Sequence, residues 1–299
     1  MKEIRDKYKL DEILEWLDKI KDLKMLALGE TIIDMYQFGI ALGKSSKAPI
    51  VAFQCTTSET YRGGIIAINE HLESFINDID CWTPDVCVVK KRYIQNGQKL
   101  FEVYNNAENP YYYDDNESLD VKEYDIILIA DFGHGMFNRK IRDEICEFSN
   151  FISLNCQMNA GNMGLNTINK YESADYICIS EHELRLAFSE QYAELSDILL
   201  ENIEDGITVA ITQGKNGCTI YKDRNFYYTP AFEEHPVDST GAGDAFLAIT
   251  TPLVYVGAPL DIVGFIGSCA GSLACSWQGN KKSVTKKELI EYIRKIYER

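Results

Sequence analysis

The chain has 299 residues, 45% of them apolar, with 30 Lys and Arg against 46 Asp and Glu and a formal net charge of −16. That apolar content is ample for a sizeable core, and the negative field argues against general binding to nucleic acid or anionic membrane. The nine cysteines lie scattered from Cys55 to Cys275 with no C-x-x-C pair and no His at zinc-ligand spacing, so they read as reduced thiols.

In chain order, the start carries no apolar leader run, and the apolar stretch 245–258 is too short to cross a bilayer, so a cytoplasmic location is expected. Leu10, Ile13, Leu14, Leu17 and Ile20 recur at helical spacing, which predicts an amphipathic helix over 1–22, docked on the core or on a partner. Apolar runs at 25–28, 86–89, 126–130, 151–154, 176–179 and 209–211 read as strands. Helix-like segments at 65–75, 139–148, 163–171, 194–203, 244–256, 260–277 and 285–297 fall between or after them. This predicts an α/β fold, a mostly parallel sheet with helices on both faces. Segments 37–59 and 99–120 alternate or turn instead, which suits the strands of a small β lid over the mouth of a site. For Tyr111, Tyr112 and Tyr113 a solvated loop serves as well. No repeat or low-complexity linker divides the chain, so one domain over 1–299 is expected.

The most informative run is Asp238-Ser239-Thr240-Gly241-Ala242-Gly243-Asp244, followed at once by the helix-like Ala245-Phe246-Leu247-Ala248-Ile249. Paired glycines let an anion approach the backbone, and first-turn amides with the helix dipole favour phosphate there. Asp244, one step inside, suggests proton abstraction beside bound phosphate. A plain helix start with Asp244 as a first-turn charge would need no paired glycines. No Walker A sequence occurs and no Gly-x-Gly-x-x-Gly follows the first strand; H-E-x-x-H and G-x-S-x-G are absent too.

The run resembles the C-terminal signature Asp-Thr-x-Gly-Ala-Gly-Asp of the PfkB, or ribokinase-like, carbohydrate kinases. The resemblance implies a ribokinase-like fold, Asp244 as catalytic base, and the amides of Gly241, Ala242 and Gly243 as an anion hole. It also implies ATP as donor, Mg2+ bridging its phosphates, and a monovalent cation (K+) near Asp238 and Thr240. Gly29-Glu30-Thr31-Ile32-Ile33-Asp34 is similar to the family's opening Gly-(Asp/Glu)-x-x-x-Asp, which makes Asp34 a ligand of sugar hydroxyls. Its position at a strand end is where ligands of open α/β sheets bind, although a lone Asp there is otherwise a turn former. Arg62-Gly63-Gly64 resembles a Gly-Gly element on which substrate lies, but Ala67 stands where an Asn is usual. Thr212-Gln213-Gly214-Lys215-Asn216-Gly217 resembles the Thr-x-Gly-x-x-Gly turn that holds the nucleotide through Thr212, Gly214 and Gly217. A hairpin turn reads that stretch equally well. Ser180-Glu181-His182-Glu183 falls where relatives carry Asn-x-x-Glu, so Glu183 matches the Glu that organises magnesium through water, while Ser180 replaces the Asn.

Among family members the likeness is greatest to the kinase domain of ADP-heptose synthase. It rests on residues 43–51, on Asp131-Phe132-Gly133-His134-Gly135, and on Lys90-Lys91-Arg92. It implies a sugar-phosphate acceptor, such as a heptose phosphate taken at its anomeric hydroxyl, bound with the help of Lys91, Arg92 and Asp131. His134 replaces a Lys, and Asn155-Cys156-Gln157 stands where that enzyme has Asp-Pro-Lys. The expected function is ATP-dependent phosphorylation of a sugar or sugar-phosphate hydroxyl, by a homodimer joined through the lid. Asp244 is expected to be ionised, with a pKa near the ordinary 3.9 or so. The rival is a non-catalytic nucleotide- or sugar-phosphate-binding relative, favoured by Ala67, Ser180 and Asn155 and opposed by Asp244 and the intact glycines.

Overall fold

A computed structural model describes residues 2–85, 87–105, 120–162, 164–233 and 235–299. Two helices open the chain, α1 (Lys2–Lys7) and α2 (Leu10–Lys19), where one helix was expected. The break falls at Lys9, whose backbone N–H donates to Glu12 Oε2 at 2.8 Å and so starts a new helix. There follow β1 (Lys24–Gly29), β2 (Thr31–Lys44), β3 (Val51–Gly64), α3 (Ile65–Leu72), β4 (Asp78–Trp82), β5 (Val88–Gln95) and β6 (Gln98–Asn105). The middle of the chain supplies β7 (Ile126–Asp131), α4 (Arg139–Phe148), β8 (Ile152–Cys156), β9 (Tyr176–Ser180), α5 (Glu181–Phe188), α6 (Leu195–Asn202) and β10 (Thr208–Thr212). The last part holds β11 (Cys218–Lys222), β12 (Asn225–Thr229), α7 (Ala242–Tyr255), α8 (Leu260–Ala274) and α9 (Lys286–Glu298).

The larger sheet has eight strands in the order β12-β11-β10-β9-β8-β7-β1-β4. It is parallel from β4 to β10 and antiparallel where β10, β11 and β12 meet. Because side chains alternate along a strand, Met25 and Ala27 of β1 pack with α2, α3, α7, α8 and α9, whereas Leu26 and Leu28 pack with α4, α5 and α6. Burial on both faces explains why these strands read as unbroken apolar runs.

The smaller sheet has four strands in the order β3-β2-β5-β6. Of the run 86–89, expected in the main sheet, Val88 and Val89 belong instead to β5 of this smaller sheet, and β4 takes the main-sheet edge. Both strands that carry the segment 37–59 are longer than expected, because β2 starts at Thr31 and β3 runs on to Gly64. Of the segment 99–120, β6 accounts for residues up to Asn105; Tyr111, Tyr112 and Tyr113 lie outside the described residues. The expected helix 163–171 is only a single turn, Ile168–Lys170. Asn162 and Asn166 spend their side-chain amides there on the carbonyls of Gln157 and Asp131, the competition that keeps Asn out of helix interiors. Among the described residues no helix is long and apolar enough to cross a membrane.

Candidate active site

The start of α7 is built as its glycines require. Gly241 caps the helix in the left-handed conformation, φ 83°, and a side chain there would collide with Asn280 Oδ1. Gly243 faces open space. Asp244 is buried, and its Oδ1 accepts a hydrogen bond from Gln157 Nε2 at 2.9 Å. Burial, followed by the negative charge of Asp34, pushes its carboxyl up to about 6, against the pull of Lys90 and the Gln157 bond. The ordinary carboxylate value expected for Asp244 is therefore corrected, since the apolar first turn of α7 withdraws it from water.

Asp244 opens on a cavity of about 270 Å³ lined also by Asp34, Gly64, Lys90, Arg92, Gln157 and Asn280. Asp34 and Lys90 are register partners on β2 and β5. Asp34 is ion-paired with Arg92 and accepts from Asn280 Nδ2 at 3.3 Å. A Cβ on Gly63 would fall 2.5 Å from Asp34 Oδ2 and 2.9 Å from Asn280 Nδ2, so this contact demands glycine. Lys90 is only 6% exposed, and burial pulls its ammonium below the usual lysine value even with Asp34 nearby. Alternation along β5 puts Lys90 and Arg92 on the cavity side and leaves Lys91 on the other. Lys91, expected to meet substrate, is thus not brought to the cavity. Ala67 is buried in the core, and Asn69 donates to Glu73, so neither supplies the missing Asn.

Asp131 is likewise withdrawn from substrate. Its carboxylate is ion-paired with Lys170, accepts from Tyr171 Oη at 2.7 Å and from the Gly133 amide at 2.9 Å, and does not line the cavity. The neighbouring Glu30 gathers the amides of Phe132, His134 and Met136 at 2.9, 3.0 and 3.4 Å. Burial and then the charge of Asp131 push Glu30 up to about 7. Together these two carboxylates shape the turn after β7 and set Phe132 in the cavity wall.

A second cavity, of about 590 Å³, is lined by Ser180, Thr212, Gly214, Gly217, Ala242 and Phe246 among others. It meets the first at Ser239 and Gly243, which line both. At Gly217, φ 92°, an added Cβ would collide with the Thr229 carbonyl oxygen, so no side chain fits. The 212–217 stretch is therefore both a hairpin turn into β11 and a cavity wall.

The metal assignments meet a different geometry. Glu183 is the third residue of α5, and its Oε2 accepts from the Ser180 amide and hydroxyl at 2.7 and 2.8 Å while Oε1 accepts from the Met158 amide at 3.0 Å. It is thus consumed by a capping box, and among the described residues no group of three His, Cys, Asp or Glu could hold a metal ion. Among the described residues Glu183 therefore belongs to no direct divalent-ion site, whereas the role expected for it, through water, needs no direct coordination. Asp238 and Thr240 do not fit a free K+ either, because the Lys99 ammonium lies 2.7 Å from Asp238 Oδ1 and 2.6 Å from Thr240 Oγ1.

Two residues of this region, Asn280 and Lys99, escaped the sequence reading, and two more, Lys90 and Gln157, were named within longer strings but given no role of their own. Strand alternation applied to 90–92 would have found Lys90. Gln157 was visible only as a departure from Asp-Pro-Lys, and Asn280 and Lys99 stand in no motif.

Residues 94–287 match the pfkB family carbohydrate kinase model, and the chain belongs to that family. A protein of Pyrococcus horikoshii named as a sugar kinase is 28% identical over 127 residues, 40% of this chain and 41% of its own length, so the match spans less than half of that relative. The fold is that of the ribokinases. It is similar to an Arabidopsis thaliana ribokinase solved with ribose and ATP, at TM-score 0.67 and 15% identity, covering 91% of this chain and 99% of that one. It is similar also to a nucleoside kinase of Methanocaldococcus jannaschii, at TM-score 0.63 and 15% identity, covering 92% and 99%.

Proposed function

We propose that the protein transfers the γ-phosphoryl group of ATP to a hydroxyl of a sugar or sugar phosphate. The observation that carries this reading is the shared wall: the cavity of Asp34 and Asp244 and the cavity of Thr212 and Gly217 meet at Ser239 and Gly243. The larger cavity takes the nucleotide and the smaller one the acceptor, with the first-turn amides of α7 between them. At pH 7 a carboxyl with a pKa of about 6 is ionised by roughly ten to one. Asp244 takes the acceptor's hydroxyl proton as its oxygen bonds to phosphorus, the bond from γ-phosphorus to the bridging oxygen breaks, and ADP leaves. The amides of Gly241, Ala242 and Gly243 receive charge on the transferring group, since phosphoryl transfer asks mainly for positioning and neutralisation. Magnesium, in this reading, arrives on the nucleotide's own phosphates. Asp34, fixed by Arg92 and Asn280, orients sugar hydroxyls, and the four-stranded sheet acts as a lid that excludes water.

The finer reading is an acceptor that already carries a phosphate, such as a heptose phosphate phosphorylated at its anomeric hydroxyl. It is supported by Lys90, a buried cation in the acceptor cavity. Release of ADP, measured over a panel of sugars, sugar phosphates and nucleosides, tests the function. Turnover with a sugar phosphate and not with its neutral parent supports the finer reading. Binding of ATP and sugar without ADP release from any acceptor would instead make the chain a non-catalytic relative. The lid exposes Ile40, Leu42, Val51, Leu100, Phe101 and Val103, apolar surface that suits a homodimer. Sedimentation at the monomer mass across micromolar concentrations would reject the dimer.

A further inference from the structure

Lys99 stands on β6, at the edge of the small sheet, yet its ammonium reaches 139 residues along the chain to the loop that leads into α7. There the Asp238 side chain is 8% exposed and its two oxygens are fully employed. Oδ1 accepts from Lys99 Nζ at 2.7 Å, from the Thr240 amide at 3.0 Å and from the Thr240 hydroxyl at 2.9 Å. Oδ2 accepts from Tyr36 Oη and from the Gly279 amide, both at 3.2 Å. The Thr240 hydroxyl donates to Asp238 and accepts from Lys99 at 2.6 Å, so the hydroxyl proton and two of the three ammonium protons have acceptors within the group. A potassium ion would need these same oxygens without their present cation, and would lie in contact with an ammonium of like charge.

We propose that Lys99 is a tethered ammonium that replaces a free monovalent cation beside the phosphate turn and ties the small sheet to that turn. It is a positioning residue, acting through Asp238 and Thr240 on the amides of 241–243, and in this it rests on the reading of that turn as the phosphate site. Burial alone would raise the Asp238 carboxyl, but the Lys99 and Thr240 bonds hold it below the usual value, so this carboxylate stays charged at neutral pH.

The experiment compares wild type with Lys99→Ala and Lys99→Met in KCl and in choline chloride of equal ionic strength. Thermal unfolding and calorimetric ADP binding are read for each, since neither needs turnover. Wild type is expected to give the same melting temperature and ADP affinity in both salts. The variants in choline should bind ADP roughly tenfold or more weakly, the scale of a lost charge-assisted hydrogen bond, and K+ should restore most of that affinity where choline does not. Wild-type ADP affinity that rises with K+ would overturn the proposal without any variant having to fold. So would variants that bind ADP as tightly as wild type in choline, or that K+ does not rescue. If no acceptor ever releases ADP but the variants show K+ rescue, the kinase reading fails while the tethered cation stands.

Discussion

Gln157, one residue beyond β8, donates through Nε2 to Asp244 Oδ1 at 2.9 Å and so joins the main sheet to the first turn of α7. The donor is neutral. It orients the carboxylate without lending it positive charge, and this agrees with a carboxyl that burial has pushed up to about 6. A general base works best when its pKa lies near the operating pH, so a neutral donor such as Gln157 suits the role of base proposed for Asp244.

Asp244→Asn removes the proton acceptor and keeps the shape. Turnover is expected to fall by about 10²–10⁴ while ATP affinity, measured by calorimetry, stays within about twofold. Retention of more than a tenth of the wild-type rate would remove Asp244 from the role of base.

The pH profile carries a sign that can be checked. Asp244 is active as carboxylate, so kcat/KM should be level above its pKa of about 6 and fall tenfold per unit below it. Gln157→Leu deletes a bond that favours the carboxylate and should move this acid limb to higher pH; Gln157→Lys adds a cation and should move it lower. A limb that does not move in either variant would show that the profile reports another group.

Asp34→Ala strands the guanidinium of Arg92, whose side chain is 11% exposed. Breaking a buried pair in this way costs about 3–5 kcal/mol, though the nearby Glu102, at 3.6 Å, takes up part of the charge. Urea denaturation should show a stability loss of about 2 kcal/mol or more. In what remains folded, acceptor KM should rise with ATP KM unchanged. Equal losses for both substrates would make Asp34 purely structural.

Lys90 and Lys91 are neighbours on opposite faces of β5, which makes them a matched pair. Lys90→Ala should weaken a phosphorylated acceptor by about 10- to 100-fold, on the scale of a charge-assisted hydrogen bond, and barely affect its neutral analogue. Lys91→Ala should change neither. Equal effects of Lys90→Ala on charged and neutral acceptors would remove the phosphate from the acceptor's description.

What the sequence disclosed follows from how local each signal is. The helices over α4, α6, α7 and α9 were legible because their apolar spacing and caps lie within one segment, as with Asn138 accepting from Ile141 and Thr285 from Glu288. The helix start at 238–244 was legible because paired glycines before an apolar helical run are a local pattern. Sheet membership was not: the apolar run 86–89 carries no mark of which sheet its strand will join, and only pairing of β5 with β2 and β6 decides it. Charge environment was not legible either. Asp131 has the residue type and position expected of a substrate ligand, yet Lys170 and Tyr171, set by tertiary packing, hold its carboxylate; the Ser180–Glu183 capping box, by contrast, is a local pattern.

The contact between Asn280 and Asp34 spans 246 residues of chain. Asp34 is synthesised 246 residues ahead of Asn280, with Gln157 and Asp244 between, so the cavity they line cannot close until Asn280 has been made. Closure over such separations is slow, because chain entropy is lost before the contact rewards it. Partly made or C-terminally clipped chains can therefore assemble much of the parallel sheet yet leave Asp34 and Arg92 without the groups that complete their pocket. Closure of this cavity is, in effect, a late readout of folding.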